Sequence, residues 1–402
     1  MAQENKKQEL PELNIGVVGH IDHGKTTLLN KLTGKFADTH SEELKRGITI
    51  KLGYADTKIY KEGKNYNITG EGEATRYVSF IDAPGHEMLM ATMLSGAALI
   101  DAAILVVAAN EGIQPQTKEH FMALQAKGIK NLIIIQNKID LVSKEEALRN
   151  YEEIKNFVKG TKAENSPIIP VSAQQGVNIE KILEELCNLE IPERDTESEP
   201  IFVIARSFDI NKPGAEIKNI KGGVLGGILK KGVLKVGDEI EIKPGLDVKK
   251  AHQQYFETIN TKILSLHKGN ENVEKVYPGA SISIETSLDT TLTKTDSLTG
   301  CLASKKGNLP EITHDAKISV ELFNKVLGME KDKEVEKIKP GEMLMLSINT
   351  SISVGTVKRV DKDGNIEMNL TIPIVPIKGD NAGVARNINN HWRLIGFGEI
   401  LE

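Results

Sequence analysis

Between residue 13 and about residue 190 the chain alternates short apolar runs with amphipathic stretches. The runs Leu13–Val18, Val78–Ile81, Ile104–Ala108, Leu132–Ile135 and Ile168–Val171 are rich in Ile and Val and show little polar alternation. Strands buried on both faces of a parallel sheet have this pattern. Helical periods lie between them. Thr26–Leu32 opens one. In Ser143–Lys159, Ser143 and Glu146 have capping-box spacing, and Leu148, Tyr151, Ile154 and Val158 recur at helical steps. Asn178 caps another, with Ile179, Ile182, Leu183 and Leu186 on one face. The pattern predicts a doubly wound, mostly parallel α/β domain over 13–191, with its ligand beyond the carboxyl ends of the strands.

At Pro192–Pro200 the composition turns charged and proline-flanked, which predicts a linker over 192–200. Past it the helical period vanishes. Residues 201–313 show short Gly-punctuated strands, as in Gly222–Gly245, and read as a β-barrel. Residues 314–402 read as a second, with strands at Met343–Ile348, Ile352–Val360 and Ile366–Ile372 and a turn at Asp363-Gly364. Residues 1–12 are a polar tail. A chain of 402 residues is long enough for these three domains.

Composition narrows the setting. No apolar run reaches the length of a membrane span, and the N-terminus has no hydrophobic signal segment, so neither a membrane partner nor secretion is expected. Cys187 and Cys301 are the only cysteines, which fits a reducing cytoplasm. The net charge of −5 gives no general attraction for nucleic acid, so RNA binding needs a local patch. Lys218, Lys221, Lys230, Lys231 and Lys235 could form one on the first barrel, or an ordinary solvated surface.

The chemistry begins at Gly19–Thr26, GHIDHGKT, a full P-loop pattern between a strand and a helix. The loop residues Asp22, His23, Gly24, Lys25, Thr26 and Thr27 are positioned to bind phosphates. Backbone N–H groups at a helix start cradle the oxygens, Lys25 reaches the β- and γ-phosphates, and the Thr26 hydroxyl ligates Mg²⁺. In Asp82-Ala83-Pro84-Gly85, Asp82 can hold Mg²⁺ through water and the Gly85 N–H can sense the γ-phosphate. Thr49 is the natural second hydroxyl ligand for the metal. His86 could orient the attacking water. Asn137-Lys138-Ile139-Asp140 selects the base: a carboxylate at Asp140 accepts two hydrogen bonds from guanine, a donor pair adenine lacks. The Lys138 stem can cover a base face, and Ser172-Ala173 offers a backbone N–H to guanine O6, with Gln174 beside them among the nucleotide-binding residues.

Together these residues resemble the translational GTPases of the elongation factor Tu family, through GHIDHGKTT, RGITI, DAPGH, QPQTKEH and NKID. More narrowly, HSEELKRGITIKLGYAD, HEMLMATMLSGAALIDAAILVVAANEG, RSFDINKPG and HWRLIGFGEI resemble the gamma subunits of archaeal and eukaryotic translation initiation factor two. The resemblance implies an α/β P-loop GTPase domain followed by two β-barrel domains. It implies GTP/GDP and Mg²⁺ as ligands, His86 as the water-orienting residue beside Ile21 and Ile48, and Lys25 and Thr49 in catalysis. It also places Asp22 near magnesium. The implied partners are methionylated initiator tRNA, alpha and beta subunits of a heterotrimer, and the small ribosomal subunit. An elongation-type or selenocysteine-specific carrier, or a GTP-binding scaffold with little turnover, is the competing expectation. In one respect the chain departs from the family. Where a cysteine-rich zinc knuckle is common, Lys58–Arg76 has neither Cys nor His, so no zinc is expected and a Gly-tipped hairpin takes its place. Tyr54 either lines a pocket for the aminoacyl end or packs in the core.

Overall fold

The structure is a computed structural model that describes residues 10–34, 53–82, 99–126, 128–211, 214, 216, 220–250, 253–326 and 334–401. Thr49, Ile48, Gly85, His86 and Lys218 lie outside these residues.

The first domain is a seven-stranded sheet. Its strands are β1 (Glu12–Gly19), β2 (Gly53–Glu62), β3 (Asn65–Asn67), β4 (Glu73–Asp82), β5 (Ala102–Ala108), β6 (Asn131–Asn137) and β7 (Ile168–Pro170). They lie in the order β3-β2-β4-β1-β5-β6-β7. β4, β1, β5, β6 and β7 are parallel, while β2 and β3 form an antiparallel edge. The non-alternating Ile/Val runs are explained by two apolar layers. Ile15, Val17, Phe80, Ile104 and Ile133 face α1 (Lys25–Thr33) and a helix at Ile179–Asn188. Val18, Leu105, Val107 and Ile134 face helices at Pro115–Ala126 and Lys144–Val158. These last three helices are α2 (Pro115–Ala126), α3 (Lys144–Val158) and α4 (Ile179–Asn188). Among the described residues, no helix is long and apolar enough to cross a membrane.

Local chemistry follows the sequence with two corrections. Ser143 and Glu146 form the expected capping box on α3. Leu148, expected on its apolar face, instead points outward, exposed, and Asn150 joins Ile154 and Val158 on the buried side. Asn150 can be buried because its amide oxygen accepts from Gln136 Nε2 at 2.8 Å. Asn178 does stand at the start of α4, but its side chain caps nothing. It is in the left-handed region and donates to the Pro170 carbonyl, tying the helix start back to the strand before it. The expected hairpin at Lys58–Arg76 is present as β2–β3, turning at Gly63.

Beyond residue 200 the first barrel contains β8 (Ile201–Phe208), β9 (Val224–Lys231), β10 (Leu234–Lys235), β11 (Glu239–Lys250), β12 (Gln253–Lys268), β13 (Glu271–Val273), β14 (Lys275–Val276), β15 (Ile282–Thr286) and β16 (Leu302–Lys305). It runs β11-β16-β8-β9-β15-β12 and closes through β11–β12. The second barrel contains β17 (Thr313–Leu322), β18 (Met343–Ile348), β19 (Ser351–Val360), β20 (Ile366–Ile374), β21 (Asn381–Ile388) and β22 (His391–Ile400), closed in the order β17-β20-β19-β18-β21-β22.

The segment read as a linker is anchored. Arg194 donates two hydrogen bonds to Asp101, at 2.8 and 2.7 Å, and a third to the Glu12 carbonyl. The sheet domain and first barrel also share a polar seam. Ser281 donates through its backbone to Ser79 Oγ and through its hydroxyl to Asn14 Oδ1, and the Ala280 N–H donates to Glu12. Where all three domains meet, Ile81, Leu99, Ile201, Val203, Leu302 and Val375 form one apolar cluster with Tyr54 packed against it. Tyr54 packs here, while its buried hydroxyl has no hydrogen-bond partner among the described residues. Lys230, a candidate for the basic face, instead pairs with Asp380 and so joins the two barrels.

Candidate functional site

Each motif sits at the carboxyl end of a parallel strand. Gly19 ends β1, Asp82 ends β4, Asn137 ends β6, and Ser172 follows β7. β1 has β4 on one side and β5 on the other, so the P-loop leaves the sheet where the strand order reverses.

Two glycines make the loop possible. A Cβ on Gly19 would lie 2.4 Å from the Val106 carbonyl oxygen, because β1 and β5 run so close there. Gly24 precedes α1 at φ 88, and a Cβ on it would lie 2.4 Å from Asn137 Nδ2. α1 then begins with no side-chain cap, which leaves its first N–H groups directed at the loop. Lys25 is buried, and its ammonium folds back to donate to the Gly19 and His20 carbonyls at 3.0 and 2.8 Å. Thr26 Oγ1 donates to Asp82 Oδ2 at 3.1 Å, so two oxygen donors suited to a hard cation meet between α1 and β4. Asp22 is exposed, in the left-handed region at φ 59.

Asn137 joins the loop after β1 to the loop after β7. Its amide nitrogen donates to the His23 carbonyl at 2.9 Å, and its amide oxygen accepts from the Ala173 N–H at 3.0 Å. Of the Ser172-Ala173 pair expected to offer an N–H to guanine O6, Ala173 has its N–H already engaged by Asn137. Gln174, next in the loop, is exposed, and its N–H makes no hydrogen bond among the described residues. Ser172 is buried, and its hydroxyl accepts from the Gln175 N–H, which holds the loop turned. Lys138 takes the left-handed conformation at φ 61 and its ammonium meets Glu111 Oε1 at 3.3 Å. Asp140 is exposed.

The histidines matter in ways the sequence did not signal. His23 is buried, and its Nδ1 donates to the Val106 carbonyl at 3.2 Å. Burial lowers its pKa to about 4, against the opposing pull of that hydrogen bond and of Glu111. His120, on α2, is buried and accepts the Gly19 N–H on Nδ1 at 3.0 Å. Burial, then the positive Lys25, lower its pKa to about 3, so the bare nitrogen that the hydrogen bond requires is kept. Its neighbour Glu119, also buried, accepts from Arg393 of β22 at 2.8 Å, connecting the second barrel to the helix that holds the P-loop. The strings QPQTKEH and NEG contain His120 and Glu111. Neither residue type at a helix or turn position carries a chemical signal by itself.

Residues 11–192 match the family described as Elongation factor Tu GTP binding domain, and residues 314–400 the family described as Initiation factor eIF2 gamma, C terminal. The chain is 50% identical to translation initiation factor 2 subunit gamma of Methanococcus maripaludis, over 97% of this chain and 98% of that protein. It is 49% identical to the protein of the same name from Pyrococcus furiosus, over 99% and 100%. Among solved structures it resembles a bacterial selenocysteine-specific elongation factor EF-Sec, with a TM-score of 0.76 and 26% identity over 97% of this chain and 58% of that one. It also shares the fold of elongation factor SelB from Methanococcus maripaludis, solved with the GTP analogue GppNHp, with a TM-score of 0.74, 24% identity and 98% and 80% coverage.

Proposed function

The chain belongs to the gamma subunits of translation initiation factor 2, and on that premise we propose that it carries methionylated initiator tRNA to the small ribosomal subunit, within a heterotrimer of alpha, beta and gamma subunits. It is a translational GTPase that binds GTP and hydrolyses it to GDP. The observation that supports the site assignment is the double bridge at Asn137, which ties the loop after β1 to the loop after β7.

In this reading Gly24, Lys25, Thr26 and Thr27 hold the phosphates, with the His23 backbone locked by Asn137. Asp140 reads the guanine edge, the Lys138 stem covers its face, and the Gln174 N–H, beside Ser172 and Ala173, is the donor for O6. Thr26 and Asp82 hold Mg²⁺, together with Thr49 and with Asp22 nearby. The cation, when bound, neutralises charge on the β- and γ-phosphate oxygens. His86 orients the attacking water and Gly85 senses the γ-phosphate. No structural zinc is assigned to Lys58–Arg76, which has no thiolate or imidazole and is held as a hairpin packed through Tyr66 and Ile68.

The carrier reading needs tRNA affinity that differs between nucleotide states, since a ligand shifts an equilibrium only by its differential affinity. With the full heterotrimer, methionylated initiator tRNA is expected to bind more tightly with GTP than with GDP, by a coupling of about 1–3 kcal/mol, and to weaken with salt. Equal affinity in the two states would refute the carrier and leave a scaffold.

A further inference from the structure

Glu111 lies on the turn after β5, and that turn is fastened from both sides. The Glu111 and Gly112 N–H groups both donate to the Ala108 carbonyl, and the Ala109 N–H donates to the Asn137 carbonyl at 2.7 Å. The turn therefore keeps a fixed position against the end of β6. Its carboxylate stands between two parts of the nucleotide site, with Oε1 3.3 Å from Lys138 Nζ and Oε2 3.7 Å from His23 Nε2.

The two neighbours are not equivalent. His23 Nδ1 faces the Val106 carbonyl and must carry the proton, so in the neutral ring Nε2 presents a lone pair to the carboxylate. A neutral His23 gives Glu111 no attraction, whereas Lys138 always does. Lys138 also needs a partner. Its backbone is in the left-handed region, which directs the side chain off the strand end, and a four-carbon stem has many rotamers unless its head is held.

We infer that Glu111 is a positioning residue for guanine nucleotides: it holds the Lys138 ammonium so that the aliphatic stem is already laid out where the base must stack. This rests on the proposed reading that the Lys138 stem covers the base. Held in advance, the stem loses little freedom on binding, and the gain appears mainly as slower nucleotide release. The pair is about one-third exposed on the Glu111 side, so its contribution to folding is small and its effect belongs to the nucleotide.

The test is a double-mutant cycle on the full chain, read as the dissociation rate and affinity of fluorescent GDP. Glu111→Gln keeps the size and removes the charge. It is expected to speed GDP release about 5- to 20-fold while the melting temperature of the nucleotide-free protein stays unchanged. Glu111→Asp, which keeps a carboxylate, should restore part of the loss. In a Lys138→Ala background the same Glu111→Gln change should add less than about twofold, because a group acting through Lys138 has nothing left to position. Release unaffected by Glu111→Gln, or an undiminished effect without Lys138, overturns the proposal. If Lys138→Ala alone leaves GDP affinity intact, the stacking role assigned to Lys138 fails, and the Glu111 proposal falls with it. The GDP-to-IDP affinity ratio separates this from the Asp140 assignment, since Glu111→Gln should leave that ratio unchanged.

Discussion

Asn137 donates to the carbonyl of His23, 114 positions earlier, at 2.9 Å, and both groups are buried. The same amide receives the Ala173 N–H, so one side chain supports loops that follow three different strands. Asn137→Ala would strand a buried carbonyl and a buried N–H, each costing about 1–3 kcal/mol when left unmade. We expect GDP affinity to fall at least tenfold together with the melting temperature. Asn137→Asp should behave similarly, because a carboxylate cannot donate to the His23 carbonyl. Calorimetric titration and thermal melting check both.

Base choice should rest on Asp140. Asp140→Asn replaces an acceptor by a group that also donates, which suits the carbonyl that xanthine has in place of the guanine amine. The expected result is a shift of preference from guanosine to xanthosine diphosphate in competition binding. Retained guanine selectivity would remove Asp140 from the site.

Hydrolysis should depend on His86 far more than binding does. His86→Ala is expected to keep nucleotide affinity within a few-fold while stimulated turnover falls by roughly 10²–10⁴, the range for a positioned water-orienting group. Single-turnover phosphate release compared with GDP binding measures the split.

The buried histidines give stability a pH dependence of definite sign. His23 and His120 titrate near 4 and 3 in the folded chain and near 6.5 when unfolded. Their full contribution is present above about pH 6.5. Below it the unfolded chain takes up protons that the folded chain refuses, so stability is lost as pH falls towards 4 and 3. Each group adds a slope of about 1.4 kcal/mol per pH unit within that window. His120→Asn keeps an acceptor for the Gly19 N–H and should flatten the slope, by about half a proton near pH 6.5 and by nearly one near pH 5, in denaturant unfolding compared with the parent.

Arg194 should act as a clamp. Asp101 is only 12% exposed and receives both Arg194 donors as well as the Asn14 N–H. Arg194→Ala leaves that carboxylate with its charge partner gone, at an expected cost of about 1–3 kcal/mol, below the loss for a fully buried pair because some water reaches it. A lowered melting temperature with unchanged GDP affinity is the expected pattern. An unchanged melting temperature would mean the segment is a loose linker after all.

What the sequence made legible was whatever has a short period or a short spacing. The P-loop, the two-layered burial of the Ile/Val runs, the Ser143 capping box and the switch to Gly-punctuated strands each depend on residues close in the chain. Leu148 was misread because a helical period names several possible faces, and the packed one is set by Asn150 finding Gln136 on β6. Arg194 sits in a segment whose charge and prolines resemble a linker, and its partner Asp101 is 93 positions away. His120, Glu111 and the second bond of Asn137 were hidden for the same reason: their partners come from other strand ends, brought together only by the strand order.

The apolar junction of the three domains bears on how the chain is made. Ile81 and Leu99 leave the ribosome well before Leu302 and Val375, which help to cover them. At roughly 5–20 residues per second, that interval is on the order of 10–60 s. Throughout it the newly folded sheet domain presents a bare apolar edge, a period in which a nascent chain depends on a chaperone or on dilution to avoid sticking to its neighbours. A gene fragment ending near residue 200 would make that temporary exposure permanent.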